Sequence, residues 1–402
     1  MFNELILNGF PALVKFFNLL DIQKHFTKPQ VQNMQAFIIA MLLDGFNGKM
    51  TDVSGLSLNT TRTSVCHFLN TLAWNDNVLL NAMQSYVVKQ IWDESKKTGN
   101  PIYVIIDDTI AEKSEPWSQA SCPTISGCGF HRSHLNNKTV YGHQFVTVML
   151  QCGDLVLPYD TILYDKKKSK IQIAKEVILS LPYPVHEGFV LTDSWYSCED
   201  LFKTAKSRHF QYIGGLKTNR LIYPKDYAKD GIQIQDFVRT LTIRDFDLVT
   251  IKGHKYWVYT YIGKIKGLKN AKVVISYPKD ALFKRGSLNA FVCTQVSLST
   301  KEILNHYTKR WPIEVFFREA NRRLGMKKCQ VRSSTAIRRY QYMVMLCYIF
   351  CGIKVDGNVL SFSKQRLIYQ ESIEKFKIQW IFEQAEKGSS LSKIFAEFRW
   401  PA

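Results

Sequence analysis

Two apolar runs in the second quarter of the chain both end in acids. "PIYVIIDD" (residues 101–108) and "GFVLTDS" (188–194) are short, rich in β-branched residues and bounded by polar turns, so each predicts a buried strand. Between them, "VYGHQFVTVMLQCGDLVLPYDTIL" holds β-rich segments broken by "CGD", and "SKIQIAKEVILSL" has the spacing of a helix; "CEDLFKTAKSR" begins another helix after the second run. Strands alternating with helices in this way predict an α/β core. A carboxylate at the end of a buried strand is fixed by the sheet yet meets solvent at its edge, which suits a ligand for a hard cation. Asp193 is one such acid. Asp107 and Asp108 are the others, and because strand side chains alternate, only one of the two can share a site with Asp193.

The rest of the chain is organised around that core. Residues 1–100 read as helices, with a helix-turn-helix pattern near 50–72 in which Gly55 to Asn59 make the turn, so a DNA-binding domain is expected there. The core is expected over 101–209 and 298–350. Residues 210–297 give short β segments separated by Gly, Asn and Lys-rich turns, a β-rich insertion, and 351–402 return to helix. Ser299 in "STKE" predicts a capping box. Further on, "YTKRWPIEVFFREANRR" sets Tyr307, Arg310 and Glu314 at spacings of three and four. Pro312 suits the first turn of a helix, which would put Glu314 near its positive end. Arg318 and Arg322 follow on the same face.

Composition narrows the partner. The 402 residues carry 53 Lys and Arg against 34 Asp and Glu, a net charge of +19, which points to a polyanion. The most apolar windows, 36–43 and 343–349, are far shorter than the roughly 18 to 20 residues that span a bilayer, and the N-terminus lacks a basic n-region and cleavage site. A cytoplasmic protein is expected, with no membrane partner. The nine cysteines have no disulfide-framework spacing. Cys122, Cys128, His131 and His134 cluster in "CPTISGCGFHRSH", but their spacing fits no standard zinc finger, so unconnected thiols and imidazoles are expected. Three acids on two strand ends and a helix make sense together if they hold two Mg²⁺ ions about 4 Å apart for phosphodiester cleavage, with nearby arginines neutralising phosphates.

"IIDDT", "LTDSWYS" and "YTKRWPIEVFFREAN" resemble the three acidic motifs of bacterial insertion-sequence DDE transposases, specifically those with the Tyr-Arg-Glu-Lys signature, Y-x₂-R-x₃-E-x₆-K. The resemblance runs from residue 100 to 325 and implies an RNase H-like mixed sheet with a β-rich insertion between the second Asp and the Glu. It implies Asp108, the acid directly before Thr109, as first metal ligand, Asp193 as second and Glu314 as third, holding two Mg²⁺ or Mn²⁺ ions. Tyr307 and Arg310 would contact the DNA backbone, with Arg318 and Arg322 nearby. Trp257 and Trp311 are candidates to stack on a base. The signature's lysine is replaced by Asn321, followed by Arg322 and Arg323. The implied partners are transposon-end and target DNA, met by a homodimer in the bacterial cytoplasm at the nucleoid. The implied activity is end cleavage followed by attack of the freed 3′-hydroxyl on target DNA. An RNase H-like nuclease without strand transfer, and a domesticated DNA-binding protein without catalysis, are the alternatives.

Overall fold

A computed structural model of the chain describes residues 10–56, 61–115, 125–133, 138–354 and 357–398. Among the described residues six helices come first: α1 to α6 (Pro11–Leu19, Ile22–His25, Lys28–Leu42, Met50–Ser54, Arg62–Asn70 and Asp76–Thr98). Strands β1 to β4 (Ile102–Glu112, Gly129–Ser133, Lys138–Cys152 and Leu155–Leu163) lead to α7 (Lys170–Ser180), β5 (Gly188–Thr192), α8 (Glu199–Ser207) and β6 (Gln211–Leu216).

The sheet is mixed. Along β4-β3-β1-β5-β6, β1 runs antiparallel to β3 and β3 to β4, whereas β5 is parallel to β1 and to β6. Sequence dictates this order locally. Gly153, at φ +58, closes a two-residue hairpin between β3 and β4, and parallel strands need crossovers, which α7 and α8 supply. β5 is buried along its whole length, as a central parallel strand should be. This is the mixed RNase H-like sheet that the sequence led us to expect.

The β-rich segment differs from expectation in one respect. After β6 come β7 (Leu221–Ile222), β8 (Ile232–Gln233), the short α9 (Ile234–Phe237), β9 (Asp247–Ile251), β10 (His254–Ile265), β11 (Leu268–Pro278) and β12 (Asn289–Cys293). They do not build a separate sheet. β12 pairs antiparallel with β6, so β11 and β10 extend the core sheet edgewise. β6 itself, placed in the insertion by its composition, is a core strand. Composition reports strand propensity and says nothing about the pairing partner.

Helices α10 (Thr300–Thr308) and α11 (Pro312–Arg322) follow; Ser299 and Glu302 form the expected capping box, and Pro312 begins α11. Then α12 (Ser334–Cys351), α13 (Phe362–Glu386) and α14 (Leu391–Phe398) complete the chain. α12 is buried on nearly every side and packs on α3, α5, α6 and β4. Buried Arg339 donates to the carbonyl oxygens of Phe68, Leu69, Leu72 and Trp74, satisfying the carboxyl end of α5. Arg366 of α13 does the same for Met41 and Leu43 at the end of α3. The helices before residue 100 and after 350 therefore pack with α12.

α4 and α5 pack together, and α5 leaves Arg62, Thr63 and His67 exposed, but most of the expected turn between these helices lies outside the described residues. Cys122 and His134 also lie outside them. Cys128 Sγ instead sits 3.2 Å from His143 Nε2. Among the described residues no helix is long and apolar enough to cross a membrane.

Candidate active site

The site is built midway along β1, just past its pairing with β5, at the end of β5 and where α10 hands over to α11; β1 runs on to Glu112, so Asp107 and Asp108 lie inside the strand and not at its end as expected. On β1, alternation sends Tyr103 and Asp107 to one face. Tyr103 Oη lies 2.7 Å from His306 Nδ1 on α10, and Asp107 Oδ2 accepts from Arg310 at 2.9 Å. That face is therefore covered by the segment carrying Tyr307, Arg310 and Glu314. Arg310 is only 16 % exposed and bridges two acids, because its other terminal nitrogen donates to Glu314 Oε1 one turn on. Its guanidinium lies 5.8 Å from the Tyr307 ring centre.

Asp193 follows β5 directly. Its Oδ1 accepts from the backbone N–H groups of Trp195, at 2.9 Å, and Tyr196, at 3.4 Å, so one oxygen folds the turn. The paired glycines of β6 make room for this turn. A Cβ on Gly215 would stand 2.9 Å from the Ser194 nitrogen, and one on Gly214 would stand 2.7 Å from Ser197 Oγ. Asp193 lines a cleft of about 570 Å³ together with Tyr307, Phe291 and Lys217. Through Thr218, Gln235 and Leu288 that cleft meets a second hollow of about 820 Å³, walled by Tyr277, Phe283 and Arg285.

Asp108 is the acid expected to join Asp193; it is Asp107, however, that pairs with Arg310. Burial first, and then the negative charge of Asp193, push the Asp107 carboxyl up to about 7, against the opposing pull of Arg310. Asp107 is the acid on the face that α10 and Arg310 cover. Asp108 points to the opposite face, where Lys170 Nζ pairs with its Oδ1 at 2.8 Å, Tyr196 Oη donates to the same oxygen at 3.0 Å, and Gln144 donates to Oδ2. Strand alternation already stated that only one acid could serve; the identity of the face came from α10, which sequence spacing does not locate.

The other expected residues separate. Trp311 stands 56 % exposed at the start of α11 beside Arg310. Trp257, on β10, donates to the Lys279 carbonyl just past β11 at 3.1 Å and does not line the cleft. Arg318 and Arg323 both pair with Glu319, whereas Arg322 is exposed and has no ion pair among the described residues. Lys170, Gln144 and Tyr196 were not singled out from sequence, although Tyr196 lies within the "LTDSWYS" motif.

Among the described residues, no three side chains of His, Cys, Asp or Glu are gathered closely enough to hold a metal ion as they stand. The donor chemistry nevertheless fits a hard cation. Two half-buried carboxylates repel each other across the end of the sheet, and the third, Glu314, is turned aside onto Arg310, the positive group between it and Asp107. A family model described as a transposase DDE domain matches residues 101–350, well over half of the chain. No curated protein sequence matches it.

Proposed function

The chain belongs to the transposase DDE domain family and so is a transposase acting on DNA; from that premise we propose that Asp107, Asp193 and Glu314 are the acids with which it cuts transposon ends and joins them to target DNA. The single observation that supports this choice of acids is Arg310, which ties Asp107 and Glu314 to one positive centre on the sheet face nearest Asp193. Members of the family work with divalent ions. Mg²⁺ or Mn²⁺, as a pair at these carboxylates, would supply an activated water and stabilise the leaving oxygen.

The protein's own groups do the positioning. Asp193 is held in its turn by two backbone N–H groups, which leaves its second oxygen to the cleft. Glu314, on a long side chain in the first turn of α11, reaches the acids by a rotamer change while the helix end favours its negative charge. Arg310 and Tyr307 at the entry of that helix are suited to hold a phosphate of the scissile strand, with Arg322 further along the face. Exposed Trp311 is the better of the two tryptophans for stacking on a base. A homodimer bridging two ends is supported by Leu367, Ile378 and Phe382, exposed apolar side chains on one side of α13; light scattering of the end complex should return two chains.

The deciding experiment supplies precleaved ends bearing free 3′-hydroxyls together with target DNA and Mg²⁺. Joined product is expected, and Glu314→Gln should abolish it with end binding retained. Nicking of uncut ends without any joining would favour a nuclease that lacks strand transfer. Binding with neither reaction would favour a protein that has lost catalysis.

A further inference from the structure

Asp108 leaves a buried charged cluster beside the site that no step above uses. Lys170, the first residue of α7, is 12 % exposed and Asp108 17 %. The Lys170 ammonium, 2.8 Å from Asp108 Oδ1, also lies 4.0 Å from the centre of the Trp195 ring. Tyr196, fully buried, donates its hydroxyl to Asp108 Oδ1 while its backbone N–H bonds Asp193 Oδ1. Trp195 likewise gives its backbone N–H to Asp193, and the two aromatic rings pack edge to face at 5.0 Å. The two residues that fold the Asp193 carboxylate through their backbone are thus gripped by the Asp108–Lys170 pair through their side chains.

We propose that Asp108 and Lys170 are positioning residues: together they clamp Trp195 and Tyr196, and so fix the direction of the Asp193 carboxylate. This rests on the reading of Asp193 as a metal ligand. The physical grounds are those that make outer partners matter in any metal site. A ligand whose rotamer and supporting turn are already fixed loses less freedom on binding, and outer-shell changes typically weaken metal affinity by about 10- to 100-fold. The opposite wall of the turn is backbone. Ser197 Oγ bonds the Gly215 carbonyl, and Gly214 and Gly215 leave no space behind it. Rigid β6 on one side and an ion pair on the other hold the turn, and the ion pair is the half that side-chain substitution can release. It also gives the two consecutive acids within β1 separate tasks: one faces the site and the other secures the neighbouring strand's turn.

The test uses the full chain bound to precleaved end DNA, with Mn²⁺ binding read by electron paramagnetic resonance and cleavage followed across a Mn²⁺ titration. Tyr196→Phe removes one hydroxyl, and Lys170→Met removes the ammonium at similar length. Both should weaken Mn²⁺ binding by about tenfold or more and regain cleavage as Mn²⁺ is raised, with end binding intact. Lys170→Arg should recover part of the loss. A purely structural role would lower the melting temperature and leave Mn²⁺ affinity unchanged; that result, or wild-type behaviour in both variants, overturns the inference. Asp193→Asn separates the two layers. If it does not alter Mn²⁺ binding, the reading of Asp193 as a ligand fails, and the inference with it.

Discussion

Arg310 is the residue on which the site turns. It is the cation shared by Asp107 and Glu314, and it is also the group best placed to receive a phosphate. Arg310→Ala should lower single-turnover cleavage by about 100-fold or more, the usual effect of removing one transition-state donor, and change end binding, measured in EDTA by gel shift, by less than about tenfold. Arg310→Lys keeps the charge without the planar fork and should recover little. Equal losses in binding and cleavage would mean that Arg310 acts only as a docking charge. At this scale the sequence was informative about residue types and less so about direction. The spacing of Tyr307, Arg310 and Glu314, the start of α11 at Pro312 and the acid after β5 were all legible. Which acid of the Asp107–Asp108 pair meets Arg310 was not, because alternation fixes two faces without saying which helix covers each. The misfit at Asn321 is narrowed too. Its side-chain oxygen is buried without a partner among the described residues; Arg322 and Arg323 are both exposed, but Arg323 is held by Glu319, which leaves Arg322 to substitute for a lysine.

Between elements, the junction of α6 with β4 carries a measurable liability. Asp160 on β4 is deeply buried and accepts from Gln84 of α6 at 3.2 Å; burial pushes its carboxyl up to about 7. An acid whose pKa is higher folded than unfolded holds its proton more tightly in the native state. Its contribution is therefore most favourable at low pH and is lost as pH rises from about 4, the unfolded value, through about 7. Asp160→Asn keeps an acceptor for Gln84 and removes the ionisation. Urea denaturation should show it close to wild type near pH 4 and more stable at pH 8, by on the order of a few kcal/mol at about 1.4 kcal/mol per unit. The same gain at both pH values would mean that the group is not ionising in the fold. Element types were well anticipated from periodicity, but their partners were not: "FQYIGGL" reads as one more short strand, and only its parallel pairing with β5 makes it part of the core.

Across the whole molecule, one sheet runs from the β3–β4 hairpin through the acid-bearing strands to β10, and a helical layer drawn from both ends of the chain backs it. The cleft opens beyond the end of β5, between Asp193 and the edgewise extension, where β6, β12 and Tyr307 line the path along which DNA would lie. A net charge of +19 would supply long-range attraction for that DNA, so end binding is expected to be strongly salt-dependent; the charge does not identify the catalytic groups. One measurement tests those groups: Mn²⁺-dependent cleavage of a cognate end by Asp107→Asn and Asp108→Asn side by side. Asp107→Asn should bind the end and fail to cut it at every Mn²⁺ concentration, whereas Asp108→Asn should cut once Mn²⁺ is raised. Cleavage by Asp107→Asn, with Asp108→Asn inert throughout, would contradict the site as assembled here and return the first acid to Asp108.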